Sequence, residues 1–217
     1  MYVHISDTPL DFFPYHIVAL GGRRDEDGNR LLEKTSLEIL TGIFSASNLD
    51  VDALIVTSDL QGTVVQNGEE WLLGEKLPEF LKMLLEIQFP QIGTHRVGVV
   101  LCGDLYANLE KRGGIGDVRE VWLQFKANFA WVAGVAGNHD HFGAKSDCAI
   151  FKRTPGIYFC QRESRSIGKA QIAGISGIIG RPEQPNRMTQ DDFLAALKQL
   201  LLRHPEFILL HEGPDYP

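Results

Sequence analysis

Apolar residues along this chain fall into short uninterrupted runs bounded by turn-forming residues, at 16–20, 53–57, 97–102, 130–136 and 207–210. Runs of this length, rich in Val and Ile and without polar alternation, predict strands covered on both faces. Residues 172–175 form a further candidate. Between the runs the apolar spacing becomes helical. Residues 31–44 carry Leu32, Ile39, Leu40 and Ile43, and residues 77–87 carry Leu77, Leu81, Leu84 and Leu85. Residues 118–129 and 191–202 follow the same pattern, and Thr189 stands ready to cap the last helix, with Asp191 and Asp192 in its first turn. Strand and helix alternate, which predicts a layered α/β architecture. Loops are expected at 21–28, 61–74, 111–116 and 180–187, the second and fourth being long or Gly/Pro-bearing and placed to face a substrate. With no internal repeat, low-complexity tract or linker, residues 1–217 read as a single domain with 1–50 as an N-terminal extension.

The residues that follow the strands carry the chemistry. Asp59 stands just beyond the run 53–57, Asp104 beyond 97–102, Asn138 and His139 beyond 130–136, and His211 directly after 207–210. Four predicted strands thus each deliver a metal-capable side chain at the carboxyl end, the edge at which open α/β sheets bind ligands. Two carboxylates, an amide oxygen and an imidazole form a mixed O/N donor set suited to manganese, iron, zinc or similar ions. Two such ions about 3.5–4 Å apart share ligands, polarise a phosphate and supply a nucleophile at neutral pH.

Composition narrows the partners. The 217 residues have 44% hydrophobic and 23% charged content, ordinary for a globular chain, and a formal net charge of -7 that does not favour nucleic acid. Cys102, Cys148 and Cys160 are odd in number and widely spaced, which argues against a disulfide framework or a structural zinc site. No leader-like segment and no run of membrane-spanning length is present, so a cytoplasmic protein without membrane contact is expected.

Taken in order, Asp59-Leu60-Gln61, Gly103-Asp104, Gly137-Asn138-His139-Asp140 and His211 resemble the D-x-H, G-D, G-N-H-[D/E] and later His motifs of the calcineurin-like metallophosphoesterase superfamily. The intervals are 45, 34 and 73 residues, and the resemblance covers roughly residues 52–217. It implies a layered sandwich of two mixed β-sheets flanked by helices. It also implies a binuclear centre holding two divalent ions, manganese foremost, with iron, zinc or magnesium as alternatives. By resemblance, Asp59 and Gln61 bind the first metal, Asp104 bridges the pair, and Asn138 and His211 bind the second. His139 is the non-ligand histidine that assists the leaving oxygen, and Asp140 orients its imidazole through a hydrogen bond. The implied reaction is hydrolysis of a phosphate mono- or diester of a small substrate through a metal-bridging hydroxide.

Two departures from the family pattern bear on activity. Gln61 stands where the family has histidine, and an amide oxygen is a weaker, harder donor. No G-H-x-H follows His211 before Pro217, so the C-terminal part of the family's fold and two of its imidazoles are expected to lie beyond the sequence. The competing reading is a catalytically degenerate binding or scaffold protein on the same fold, with a nuclease-like relative as a weaker third. The N-terminal fifty residues are expected to add a strand near Ile17 and a helix over 31–44, extending the sheet, covering it or forming a homodimer contact.

The remaining candidates have plainer readings. Asp7 mimics the first motif, but Pro9 occupies the histidine position, so it reads as a surface residue or a helix cap. His141 reads as an exposed neighbour of the motif, and His16, His95 and His204 carry no spacing signal. Arg23 and Arg24 follow two glycines without the Lys-Ser/Thr ending of a phosphate loop, and Arg162, Arg165 and Lys169 form a solvated basic face.

Overall fold

A computed structural model describes residues 3–19, 23–28, 30–45, 48–108, 110 and 113–213. The N-terminal segment builds β1 (Val3–Ile5), β2 (Asp11–Val18), β3 (Leu32–Ile39) and β4 (Gly42–Phe44). β2 and β3 pair antiparallel along eight residues, from Asp11 opposite Ile39 to Val18 opposite Leu32, while β1 pairs with β4. The helix expected over 31–44 is therefore two strands. Thr35, Leu37 and Ile39 alternate inward while Ser36 and Glu38 face out, a period of two that the β-branched Thr and Ile reinforce. The eight-residue partner β2 decides the outcome over the helical spacing of the longer window.

β5 (Ala53–Thr57) comes next, then a hairpin of β6 (Thr63–Gln66) and β7 (Glu69–Leu72) inside what the sequence suggests is a loop. Its turn is Asn67-Gly68, both with positive φ, 54° and 80°. That is the primed turn whose twist matches a two-residue hairpin. α1 (Leu73–Gln88) starts directly from β7, with Glu75 accepting the Leu72 amide at 3.0 Å. The chain continues through β8 (Val97–Leu101), the two-residue β9 (Gly116–Asp117), α2 (Arg119–Asn128), β10 (Trp131–Gly134) and β11 (Asp140–His141). It ends with α3 (Lys145–Phe151), β12 (Ile157–Phe159), β13 (Glu163–Ile167), β14 (Ala170–Ile175), β15 (Ile178–Ile179), β16 (Arg187–Met188), α4 (Gln190–Leu201) and β17 (Phe207–Leu210). Thr189 caps α4 as its sequence suggests, its Oγ1 accepting from the Asp192 amide at 3.1 Å.

The fold is mixed α/β with several sheets and four helices among the described residues. The central sheet has the order β12-β10-β8-β5, and every pairing in it is parallel. Every residue of β8 and β10 is buried, which explains why these runs read as continuous rather than alternating. One face of this sheet (Val97, Val99, Leu101, Val132) packs against Leu77 and Leu81 of α1 and Val121, Trp122 and Phe125 of α2. The other face (Val100, Trp131, Ala133) packs against Ala170, Ile172 and Leu209 of a second sheet, ordered β13-β14-β17. The far side of that second sheet, Ala173 and Ile175, is covered by Phe193 and Leu200 of α4. The sheet–sheet approach is close at Gly174, where a Cβ would lie 2.6 Å from Val135 Cγ1. The antiparallel sheet β3-β2-β6-β7 adds Phe13, Tyr15, Leu37 and Ile39 to the helix-side core. No helix among the described residues is long and apolar enough to cross a membrane.

Candidate metal centre

Because β5, β8 and β10 are neighbours and parallel, their carboxyl ends share one edge. β17, in the second sheet, runs parallel to β14 and ends beside them. The loops after β5 and β8 are tied together by the Cys102 amide on Thr57 O (2.8 Å) and the Asp59 amide on Gly103 O (2.9 Å). Asp59 and Asp104 both adopt left-handed backbone, φ 55° and 54°, uncommon for a non-glycine residue and best tolerated by Asp and Asn. That kink lets each carboxylate follow its strand without a longer loop. Ligand-capable atoms of Asp59, Asp104 and His211 lie within 4.8 Å of one another. Asp59 is exposed, Asp104 buried and His211 between the two.

The loops after β8 and β10 touch backbone to backbone. A Cβ on Gly103, itself at φ 90°, would stand 2.4 Å from the Gly137 amide nitrogen. One on Gly137 would lie 2.0 Å from Asp104 Oδ1. Both glycines are thus required by steric contact with the site itself.

Asp140 closes this junction in a way that differs from its expected role. Its Oδ2 accepts the amides of Asp104 (2.9 Å) and Gly137 (2.8 Å), and its Oδ1 accepts that of Leu105 (2.8 Å). With both oxygens committed to backbone, Asp140 does not orient the His139 ring. Burial pushes its carboxyl above the ordinary range, opposed by the amides that donate to it. The ring is held instead by a carbonyl: His139 Nδ1 lies 2.7 Å from Gly114 O. This leaves His139 Nε2 4.0 Å from Asp104 Oδ2 on a partly exposed side chain. The His139 amide also donates to Asp104 Oδ1 at 3.0 Å. Asn138, buried between Gly137 and His139, is carried by a turn whose amides are fixed on both sides of it.

His211 Nδ1 lies 2.8 Å from Cys102 O and its Nε2 3.4 Å from Asp104 Oδ1. A carbonyl on Nδ1 fixes the tautomer that leaves Nε2 free for a metal. Burial alone would lower the His211 pKa, but the adjacent Asp104 carboxylate outweighs it and raises it to about 9. Burial likewise opposes ionisation of Asp104, yet the bonds from His211 and the His139 amide hold that carboxyl below its ordinary value. His211 and Asp104 thus form an ion pair with a defined pH response. A histidine raised from 6.5 to about 9 contributes stability that is complete below pH 6.5 and lost as pH rises through 9, on the order of 3 kcal/mol. Urea midpoints of metal-free protein should fall between pH 6 and pH 9.5. The His211→Gln variant should show a much flatter profile over that range; equal slopes would assign the change to other groups.

Gln61 reaches the cluster, but through its amide nitrogen: Nε2 donates to Asp104 Oδ2 at 2.9 Å. It acts here as a hydrogen-bond donor to the carboxylate. Three contributors carry no obvious motif. Asn186, at φ 52° in the loop before β16, donates from Nδ2 to Gly137 O (3.0 Å) and Asp140 O (2.7 Å), clamping the motif turn. Ser176 accepts the Ala136 amide at 3.0 Å and donates to Cys160 O. Gly114 supplies the carbonyl for His139. Asn186 lies in one of the loops expected to face a substrate, which is the only sequence signal for it.

The other candidates occupy the places their composition suggests. Asp7 is exposed, and His141 is exposed with Nδ1 accepting from the Gly143 amide. Arg24 pairs with Glu110 and Arg165 with Glu163 on the surface. Gly21 and Gly22 lie outside the described residues. Burial raises the thiols of Cys102 and Cys160 to about 11 and 12, so both are inert packing residues. No family profile matches this chain, and no curated protein sequence matches it.

Proposed function

We propose that the chain is a metal-dependent phosphoesterase built on the two-sheet sandwich of the calcineurin-like metallophosphoesterases. The observation that carries this reading is the convergence of Asp59, Asp104 and His211 at one sheet edge, with His139 presented beside Asp104 but anchored elsewhere. The donor set fits a divalent ion: two carboxylates, one ionised by its surroundings, and an imidazole with its second nitrogen already on a carbonyl. In this reading Asp59, Asp104 and His211 would hold divalent metal, with Asn138 of the neighbouring turn as a further ligand. Divalent metal supplies charge neutralisation for a phosphoryl group and activation of water at neutral pH.

The chain's own residues then position and protonate. Asp104 stays ionised because His211 pairs with it and the His139 amide donates to it, and Asp140 keeps the loops that carry Asp104 and His139 in contact. His139, with Nδ1 on Gly114 O, presents Nε2 to the substrate and can deliver a proton from that atom to the departing alkoxide. His139→Ala should lower kcat by roughly 10²–10⁴-fold at unchanged metal content. Loss of bound metal in that variant would instead make His139 a ligand.

A second reading, a binding protein that has lost catalysis, is favoured by one contact: the Gln61 amide N–H, which cannot ligate a cation, occupies one oxygen of Asp104. Metal analysis after manganese incubation separates the two, about two ions per chain supporting the enzyme and none the binding protein. A small phosphorylated substrate and a cytoplasmic setting belong to the same proposal.

A further inference from the structure

The side chains gathered at the centre come from two sheets. Asp59, Asp104, Asn138 and His139 follow strands of the central sheet, whereas His211 follows β17 of the second. One segment, residues 176–188 between β14 and α4, is bonded to both groups. It leaves β14 beside the end of β17, since Ile175 and Leu210 are the last partners of that pairing. Ser176 then accepts the Ala136 amide at 3.0 Å, and the Gly177 amide donates to Ala136 O at 2.7 Å. Both backbone groups of the residue before the motif turn are thereby held.

The segment closes on itself. Ile178 and Ile179 pair with Arg187 and Met188. The Ile178 amide donates to Asn186 O at 3.0 Å and the Gly180 amide to Met188 O at 2.8 Å. These bonds join its two ends, so a shift at one is carried to the other. At the first end, the Ile179 amide donates to Oε2 of Glu212, the residue next to His211. At the second, Asn186 spends both amide hydrogens on the motif turn, on Gly137 O at 3.0 Å and Asp140 O at 2.7 Å. Those two carbonyls flank Asn138 and His139. Position 186 makes two demands on its residue: a left-handed backbone, φ 52°, which Asn tolerates, and a double N–H donor, which Asp lacks. Position 212 demands only an acceptor oxygen.

We propose that Asn186 and Glu212 are positioning residues of the metal centre. Through the segment they fasten, they set how the Asn138-His139 turn stands against His211. This rests on the metal-dependent reading above and adds to it two residues outside the ligand set. Partners of this kind orient the ligands of a metal, and their loss typically costs about 10–100-fold in affinity.

Manganese affinity, followed through the spin-resonance signal of the free ion, tests the assignment. Asn186→Gly keeps the left-handed backbone and removes both donors, and should bind manganese about 10–100-fold more weakly. Glu212→Ala should show a loss of the same order, and Glu212→Gln, which keeps an acceptor oxygen, should recover most of it. Because both contacts fasten one segment, the double variant should lose little more than the more affected single variant. Wild-type affinity in either Asn186→Gly or Glu212→Ala, or additive losses in the double variant, would overturn the assignment. Amide exchange in metal-free protein gives a second readout. Glu212→Ala should speed exchange of the Gly137 and His139 amides at least about tenfold, and Glu212→Gln should leave both slow. Unchanged exchange in Glu212→Ala also overturns the assignment. Faster exchange in that variant, together with a wild-type protein that binds no manganese, keeps the positioning of the turn and removes the metal reading.

Discussion

Asp140→Asn should destabilise the metal-free protein by about 3–5 kcal/mol, far more than a residue that merely steers a catalytic ring. The carboxylate is 1% exposed and accepts three backbone amides from two different loops, those of Asp104, Leu105 and Gly137. An amide side chain of the same shape keeps one acceptor oxygen and sets an N–H₂ against at least one backbone donor. Two donors then face each other in a buried site, and neither can turn to water. Because Gly103 and Gly137 already touch at van der Waals distance, the loops cannot separate slightly to admit solvent without moving Asp104. The expected readout is a large drop in the urea midpoint together with weakened metal binding. If Asp140 acted through the His139 ring, the same variant would keep its stability within about 0.5 kcal/mol and lose only turnover.

The contrast between these outcomes shows where the sequence was legible. The runs at 97–101 and 131–134 are legible as strands because continuous apolar residues report burial on both faces, and Asp59, Asp104 and His211, beyond the strand ends at 57, 101 and 210, come together in the fold. What each residue does is set by backbone contacts, which leave no trace in residue identity. Asp140 looks like a histidine partner, yet it serves amides that any sequence would present. His139 is held by a glycine carbonyl from a loop 25 residues upstream. The segment 31–44 fails for a different reason: its apolar spacing fits a helix in isolation, while pairing with β2 makes it a strand. Asn67-Gly68 is the opposite case, since a primed hairpin turn is readable from those two residues between apolar flanks.

Asp104→Ala is the second large effect. Three parts of the centre meet at Asp104: Gln61 and the His139 amide donate to it, and His211 pairs with it. Removing the carboxylate leaves Asp59 and His211 without the charge that brings cations between them, and manganese affinity should fall more than about a hundredfold. The fold should survive better than in the Asp140 variants. His211 can shed its proton and keep its bond to Cys102 O, and alanine at this position retains the amide that Asp140 accepts. Asp104→Asn separates charge from shape. It preserves the contact volume, and if charge is what gathers the metal it should bind almost as poorly as the alanine variant.

The central claim is that this cluster gathers metal in order to hydrolyse phosphate esters. It is tested most directly by stripping metal from the wild-type and Asp104→Ala proteins and titrating manganese back while following hydrolysis of an aryl phosphate. Wild-type activity should rise from background and saturate together with metal occupancy, and the variant should stay at background throughout. Full occupancy of the wild-type protein without hydrolysis, or equal activity in the variant, would contradict the account.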